Sequence, residues 1–312
     1  MKRHNRISIL VATAVAAAAP LAAAELPPPT TKKILFFSKS AVFEHSVIKR
    51  NAGHPSFAEQ VLQELGAKHA LAFTFSKDGS LFTADYLSQF DAFMFYTTGD
   101  LTTAGLDKTP PMTATGKAAL LAAIAAGKGF IGVHSATDTF HSPGNADIGP
   151  ARYVDDGDRA DPFIKMLGGE FIKHGAQQPS HLIVSDPKFP GLAAVPADFA
   201  PNEEWYSLKN FAPDLHVLLI QETAGMKGPE YARPPYPSTW ARMEGKGRVF
   251  STNLGHREDV WLNPVFQSVL LGGMEWATGR VDADVTPNLD KVAPKARVLP
   301  PDPTADPKPP AR

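Results

Sequence analysis

Three short runs in this chain are apolar almost throughout: Ile34 to Ser38, Ala92 to Tyr96 and Gly129 to Val133. A strand with one face in water alternates polar and apolar side chains. Runs without that alternation belong to strands buried on both faces, the mark of a parallel sheet covered by helices on either side. Helical segments lie between the runs, as such a sheet requires. Ser56 and Glu59 have capping-box spacing, Phe57, Val61, Leu62 and Leu65 form one apolar face, and Gly66 suits the left-handed residue past a helix end. Residues 70–75 read as another strand. A helix over residues 116–126 turns Leu120, Leu121 and Ile124 inward and is closed by Gly127. Alternation at these lengths implies right-handed crossovers, hence a single α/β domain with a flavodoxin-like, doubly wound, mainly parallel sheet. Residues 181–184, 216–220 and 248–252 read as less regular strands. Asn263 and Pro264 then open a last helix, an N-cap residue followed by Pro at the first helical position, with Phe266, Val269, Leu270 and Met274 on its buried face.

The ends differ from this body. Lys2, Arg3 and Arg6 precede the apolar segment from Ile7 to Ala19, which is followed by Pro20 and by Ala22, Ala23 and Ala24. That order is a secretory signal peptide over residues 1–24, and it implies export to the periplasm or the medium. The apolar segment is shorter than the roughly 20 residues that span a bilayer, and no later stretch is longer, so no membrane span is expected to be retained. Residues 25–32 read as a Pro-rich spacer, 33–279 as the folded body, and 280–312 as a Pro-rich, disordered tail. Loss of the leader removes three positive charges and moves the formal net charge from −1 to −4. A mild negative balance argues against a nucleic-acid partner, which calls for a basic patch. Cysteine is absent, which excludes disulfides, thiolate metal sites, a lipid anchor on an amino-terminal Cys and a thiol nucleophile.

In an open α/β sheet, ligands bind beyond the carboxyl ends of the strands. Polar residues gather at several of those ends: Lys39, Ser40, Glu44 and His45; Thr97, Thr98 and Asp100; His134, Ser135, Thr137 and Asp138; Asn253 and His256. One histidine after a strand is usually a hydrogen-bonded packing residue, but three on one rim point to a shared site. His69, His181 and His216 fall at strand starts, on the opposite rim, and read as structural. His54 and His141 lie in loops and read as solvated. His134 occupies the centre of a tight strand-to-helix turn of the kind that elsewhere presents a nucleophile, and an imidazole there binds a metal or moves a proton. Ser135 is one residue late in the turn for a nucleophile. Glu203 and Glu204 precede Trp205 and Tyr206, a pairing of carboxylates with aromatic faces that suits a sugar.

The chain resembles the ThuA-like (trehalose-utilisation) family. The resemblance runs through residues 34–39 with His45, 129–138, Gly168 and Gly169 with Phe171 and His174, Glu204 with Tyr206, residues 245–250 leading into Leu254, Gly255 and His256, and Gly272 and Gly273 with Trp276. It implies a relative of class I glutamine amidotransferases that lacks the nucleophilic cysteine, with a link to disaccharide or keto-sugar metabolism. The positions it carries over are His45, His134, His174, Glu204 and His256. From these come the expected assignments: His134, Glu204, His45 and His256 in catalysis; Lys39, Thr98, Ser135, Asp138, Trp205 and Tyr206 in substrate binding; and His134, His174 and His256 as ligands of a divalent metal such as zinc, with Glu204 as base. Metal-free proton abstraction by a histidine with Glu204 is the competing mechanism. A periplasmic sugar-binding or accessory protein without turnover is the alternative of another class, and residual amidotransferase activity is disfavoured by the missing cysteine. The leader reading predicts that amino-terminal sequencing of the exported protein starts at Glu25; a protein retained with Met1 intact contradicts it.

Overall fold

In a computed structural model of the chain, residues 30–106, 108–145 and 149–303 are described, so the leader and most of the spacer lie outside them. The strands are β1 (Lys32–Phe37), β2 (Leu71–Ser76), β3 (Ala92–Phe95), β4 (Gly129–Val133), β5 (Glu170–His174), β6 (Gln178–Pro179), β7 (Leu182–Val184), β8 (Asn202–Glu203), β9 (Tyr206–Lys209), β10 (His216–Gln221), β11 (Tyr236–Glu244) and β12 (Gly247–Thr252). The helices are α1 (Phe57–His69), α2 (Ala84–Ser88), α3 (Ala114–Ala125), α4 (Pro162–Leu167), α5 (Glu258–Leu262), α6 (Pro264–Ala277) and α7 (Leu289–Val292). Eight strands form one sheet in the order β2-β1-β3-β4-β12-β11-β10-β7. The first five are parallel to one another and the last three add antiparallel pairs. The mainly parallel α/β reading is borne out.

The unbroken apolar runs serve two cores at once. Alternate residues of a strand point to opposite faces. Ile34, Phe36, Met94 and Ile131 pack with α1 and α6, while Leu35, Phe37, Phe93 and Phe130 pack with α3 and α4. Ser56 caps α1 with a reciprocal Glu59 box. Gly66 does not end that helix: α1 continues to His69 and turns at Ala70, which itself adopts φ 50°. A Cβ on Gly66 would lie 2.5 Å from the Leu71 carbonyl, so the glycine lets α1 lie close to β2. No helix among the described residues is long and apolar enough to cross a membrane.

One strand was not foreseen, and one expectation needs correction. Strand β11 sits inside the sheet between β10 and β12 although it contains Pro237, a residue that cannot donate to a ladder and that hides a central strand in the sequence. The segment after Gly279 is ordered as far as the described residues reach. Leu289, Val292, Ala293 and Ala296, at helical spacing among prolines, close a third core with Leu215, Val217 and Trp240. Asn288 reinforces this, its side chain accepting from Val217 N at 2.6 Å and donating to Val217 O at 3.1 Å. Leu289→Ala is expected to cost about 2–5 kcal/mol, because the cavity is fully enclosed. Urea unfolding checks this: an unchanged midpoint would place the segment outside the cooperative unit.

Candidate functional site

Four chain segments end at one carboxylate. β4 delivers His134 through a turn in which His134 adopts φ 45°, a strained left-handed conformation for a residue with a side chain. Gly132 makes room for that turn, since a Cβ there would meet Leu167, Ser251 and Ala136 between 2.9 and 3.3 Å. The loop after β1 delivers His45, β12 runs on to His256, and β5 ends at His174. Around Glu204 the distances are 3.1 Å to His256 Nδ1, 3.4 Å to His174 Nδ1, 3.6 Å to His134 Nε2 and 3.9 Å to His45 Nε2. The rings of His45, His134 and His256 stand at the corners of a nearly equilateral triangle, with centroids 4.9, 5.1 and 5.2 Å apart.

Backbone and buried polar groups hold these rings in place. His134 Nδ1–H donates to the Asn253 carbonyl at 3.0 Å, which leaves a lone pair on Nε2 facing the cluster. Tyr206 lies 4.3 Å from the His134 ring by centroid and directs its hydroxyl to His45 Nε2 at 3.4 Å. Glu203 is wholly buried and accepts from the backbone N–H groups of Glu204, Gly255 and His256, tying the β8 end to the β12 end. Burial pushes its carboxyl up to about 7 despite those donors. Burial also lowers His134 to about 3 and lowers His45, outweighing the Glu204 charge that favours protonation of both. For Glu204, burial acts upward, but the nitrogens of His134, His256 and His45 prevail and hold the carboxyl well below its ordinary range. The result is an ionised carboxylate beside the neutral imidazoles of His45 and His134.

The expected residues divide. His45, His134, His256 and Glu204 converge, with one ligand atom from each lying within 4.8 Å of the others. His174 touches the other Glu204 oxygen and is not in that set, which has His45 where the sequence reading expected His174 beside His134 and His256. Thr98 exchanges hydrogen bonds with both backbone groups of Phe43 and so steadies the His45 loop. Ser135 is buried beside His134, its hydroxyl unpartnered among the described residues. Lys39 is fully buried and donates to Thr109 O and Oγ1 at 2.9 and 3.0 Å, outside the groups around Glu204. Trp205 is equally buried and donates to Gln178 O at 2.8 Å, so it is a packing residue and not a stacking platform. His141, expected in solvent, is enclosed between Asp138 at 2.7 Å and Glu170 at 3.1 Å. The exposed aromatic beside the cluster is Phe43, 57% exposed and edge-on to His45 at 4.9 Å. No periodic signal marks it in the sequence, because it lies in a loop.

A family model described as "ThuA: Trehalose utilisation" matches residues 33–277, nearly the whole folded body. The chain belongs to this family. Among solved structures, a thua-like protein from Bacteroides uniformis ATCC 8492 is 21% identical, with 81% of this chain and 94% of that one covered at a TM-score of 0.57. Another, from Parabacteroides merdae ATCC 43184, is also 21% identical, with 82% and 93% covered at a TM-score of 0.55. At that identity the two ThuA-like structures establish the shared fold alone. No curated protein matches the chain.

The buried, neutral His134 carries a pH signature. Its pKa lies at 6.5 unfolded and about 3 folded, so the stability tied to it is complete above pH 6.5 and is lost as pH falls toward 3, by up to about 1.4 kcal/mol per unit. Imidazole 15N spectra of the ion-free protein should show the His134 Nδ1–H tautomer unchanged from pH 8 to pH 4. Titration of that ring near 6.5 would contradict the geometry.

Proposed function

We propose that this ThuA-family chain is an exported enzyme of carbohydrate metabolism that hydrolyses or eliminates across the glycosidic bond of a disaccharide or keto-sugar glycoside. The observation that carries this reading is the ionised Glu204 carboxylate facing three clustered imidazoles, one of which keeps a lone pair directed inward. A carboxylate so placed is a base that takes a proton from water or from carbon beside a carbonyl. The family description, trehalose utilisation, supports a disaccharide as substrate.

Three imidazoles and a carboxylate are donors suited to zinc or a similar borderline cation. His45, His134 and His256 would hold it, and it would supply Lewis-acid activation of a water or carbonyl oxygen. Glu204 would remain the base toward water or toward the carbon beside a carbonyl, while Tyr206 and Asn253 keep His45 and His134 aimed. The metal-free alternative has an observation of its own. Gln177 Oε1 accepts from Arg257, so its amide N–H donates to His256 Nε2, and His256 Nδ1–H is left to donate to Glu204. In that state the His256–Glu204 pair moves the proton unaided.

Elemental analysis of the purified protein, paired with a screen of disaccharides and their 3-keto forms, tests both. Glu204→Gln should lower turnover by about 10²–10⁴-fold with the fold intact. His134→Ala should in addition release the ion if one is bound. A protein that binds sugars equally well with or without either change, and forms no product, is a binding protein.

A further inference from the structure

Beside the imidazole cluster lies a cavity of about 770 Å³, within the size range of small-molecule sites. It opens at the same strand ends. Val42 comes from the loop that carries His45, Gly99 and Asp100 follow β3, Asp138 and His141 follow β4, and Phe171 belongs to β5. Phe171 is also part of the wall between cavity and cluster: its ring lies 4.2 Å from Tyr206, and Tyr206 lies 4.3 Å from His134.

The charges around the cavity are of both signs, Lys117 and Asp161 being paired with each other at 2.7 Å. Asp138, Asp161 and Asp100 stand among Lys117, Arg152 and His141. An anion would meet three carboxylates and a cation three positive groups, whereas a neutral polyol can donate to the former and accept from the latter. Asp138 is the best prepared of these. His141 has a carboxylate on each ring nitrogen, and the two together favour its protonated form although Arg152 Nη2 lies 3.3 Å from Nε2. Glu170 anchors that imidazolium from behind, where it also accepts from Ser142 and Asn210. Asp138 Oδ1 is thereby committed to His141, with Arg152 3.8 Å away. Its second oxygen takes no hydrogen bond from any described residue. At the lip, Val42 and Phe43 are 60% and 57% exposed, one facing the cavity and the other against His45.

We propose that this cavity is a second sugar subsite: Asp138 binds hydroxyls of one ring there, the Val42–Phe43 lip supports its apolar face, and the rest of the sugar crosses that lip toward His45 and the imidazole cluster. The assignment rests on the carbohydrate reading above and adds where the second ring lies and which residue anchors it. Asp138 is a binding residue, and His141 and Glu170 act through it as positioning residues.

Calorimetric titration of the full mature protein with trehalose and its 3-keto form tests the subsite. Asp138→Asn should weaken binding of the sugar by about tenfold or more. Thr103→Trp, at an exposed position on the cavity rim, should weaken it similarly while leaving the Asp138–His141–Glu170 chain untouched, which guards against misfolding of the Asp138 variant. Undiminished binding by Asp138→Asn and Thr103→Trp overturns the subsite and leaves the proposed function standing. A wild-type protein that binds neither sugar overturns the carbohydrate reading, and the subsite falls with it.

Discussion

The Glu204 carboxylate stays ionised in a nearly closed place because four imidazoles surround it at 3.1 to 3.9 Å, with the His256 Nδ1–H as the donor at the shortest distance. Burial alone would protonate it, since a carboxylate out of water loses several kcal/mol of hydration unless its oxygens are met. The four nitrogens come from the loop after β1, the turn after β4, the end of β5 and the residues after β12. Placing β4 between β3 and β12 sets the last of these beside His134, so the site is a direct product of the sheet order.

Adjacent glutamates do opposite work there. Glu204 faces imidazoles, while Glu203 points the other way into a nest of backbone N–H groups from residues 204, 255 and 256. Extended backbone sends consecutive side chains to opposite sides, which allows one residue to fasten the loops and the next to face the ligand. Three imidazoles this close cannot all be charged, and burial settles the matter in favour of neutral His45 and His134. The cluster is therefore rich in lone pairs as well as negative charge.

Much of the architecture was readable before any coordinates, because strands buried on both faces write continuous apolar runs and helix starts write capping boxes. The legible elements are those whose cause is local: Ser56 with Glu59, Asn263 with Pro264, and the run from Gly129 to Val133. Pro237 concealed a central strand, and the spacing of Leu289, Val292, Ala293 and Ala296 was masked by the prolines around it. Trp205 and Lys39 show the limit from the other side. Both have the chemistry of a binding residue, yet both are enclosed and bonded to backbone, a fate decided by neighbours far away in the chain.

His45, His134, Glu204 and His256 could be named from the sequence because each follows a strand or lies in a recognisable motif, and the strand period determines which rim they reach. Their sorting could not. Whether His45 or His174 joins the triangle, whether Glu203 or Glu204 meets the imidazoles, and whether His141 sits in water or between two carboxylates all depend on how distant loops pack. Strand type and rim follow from periodicity along the chain. Hydrogen-bond partners and burial across more than a hundred residues exist only once the sheet has been assembled, and those are what make a histidine a base, a ligand or a brace.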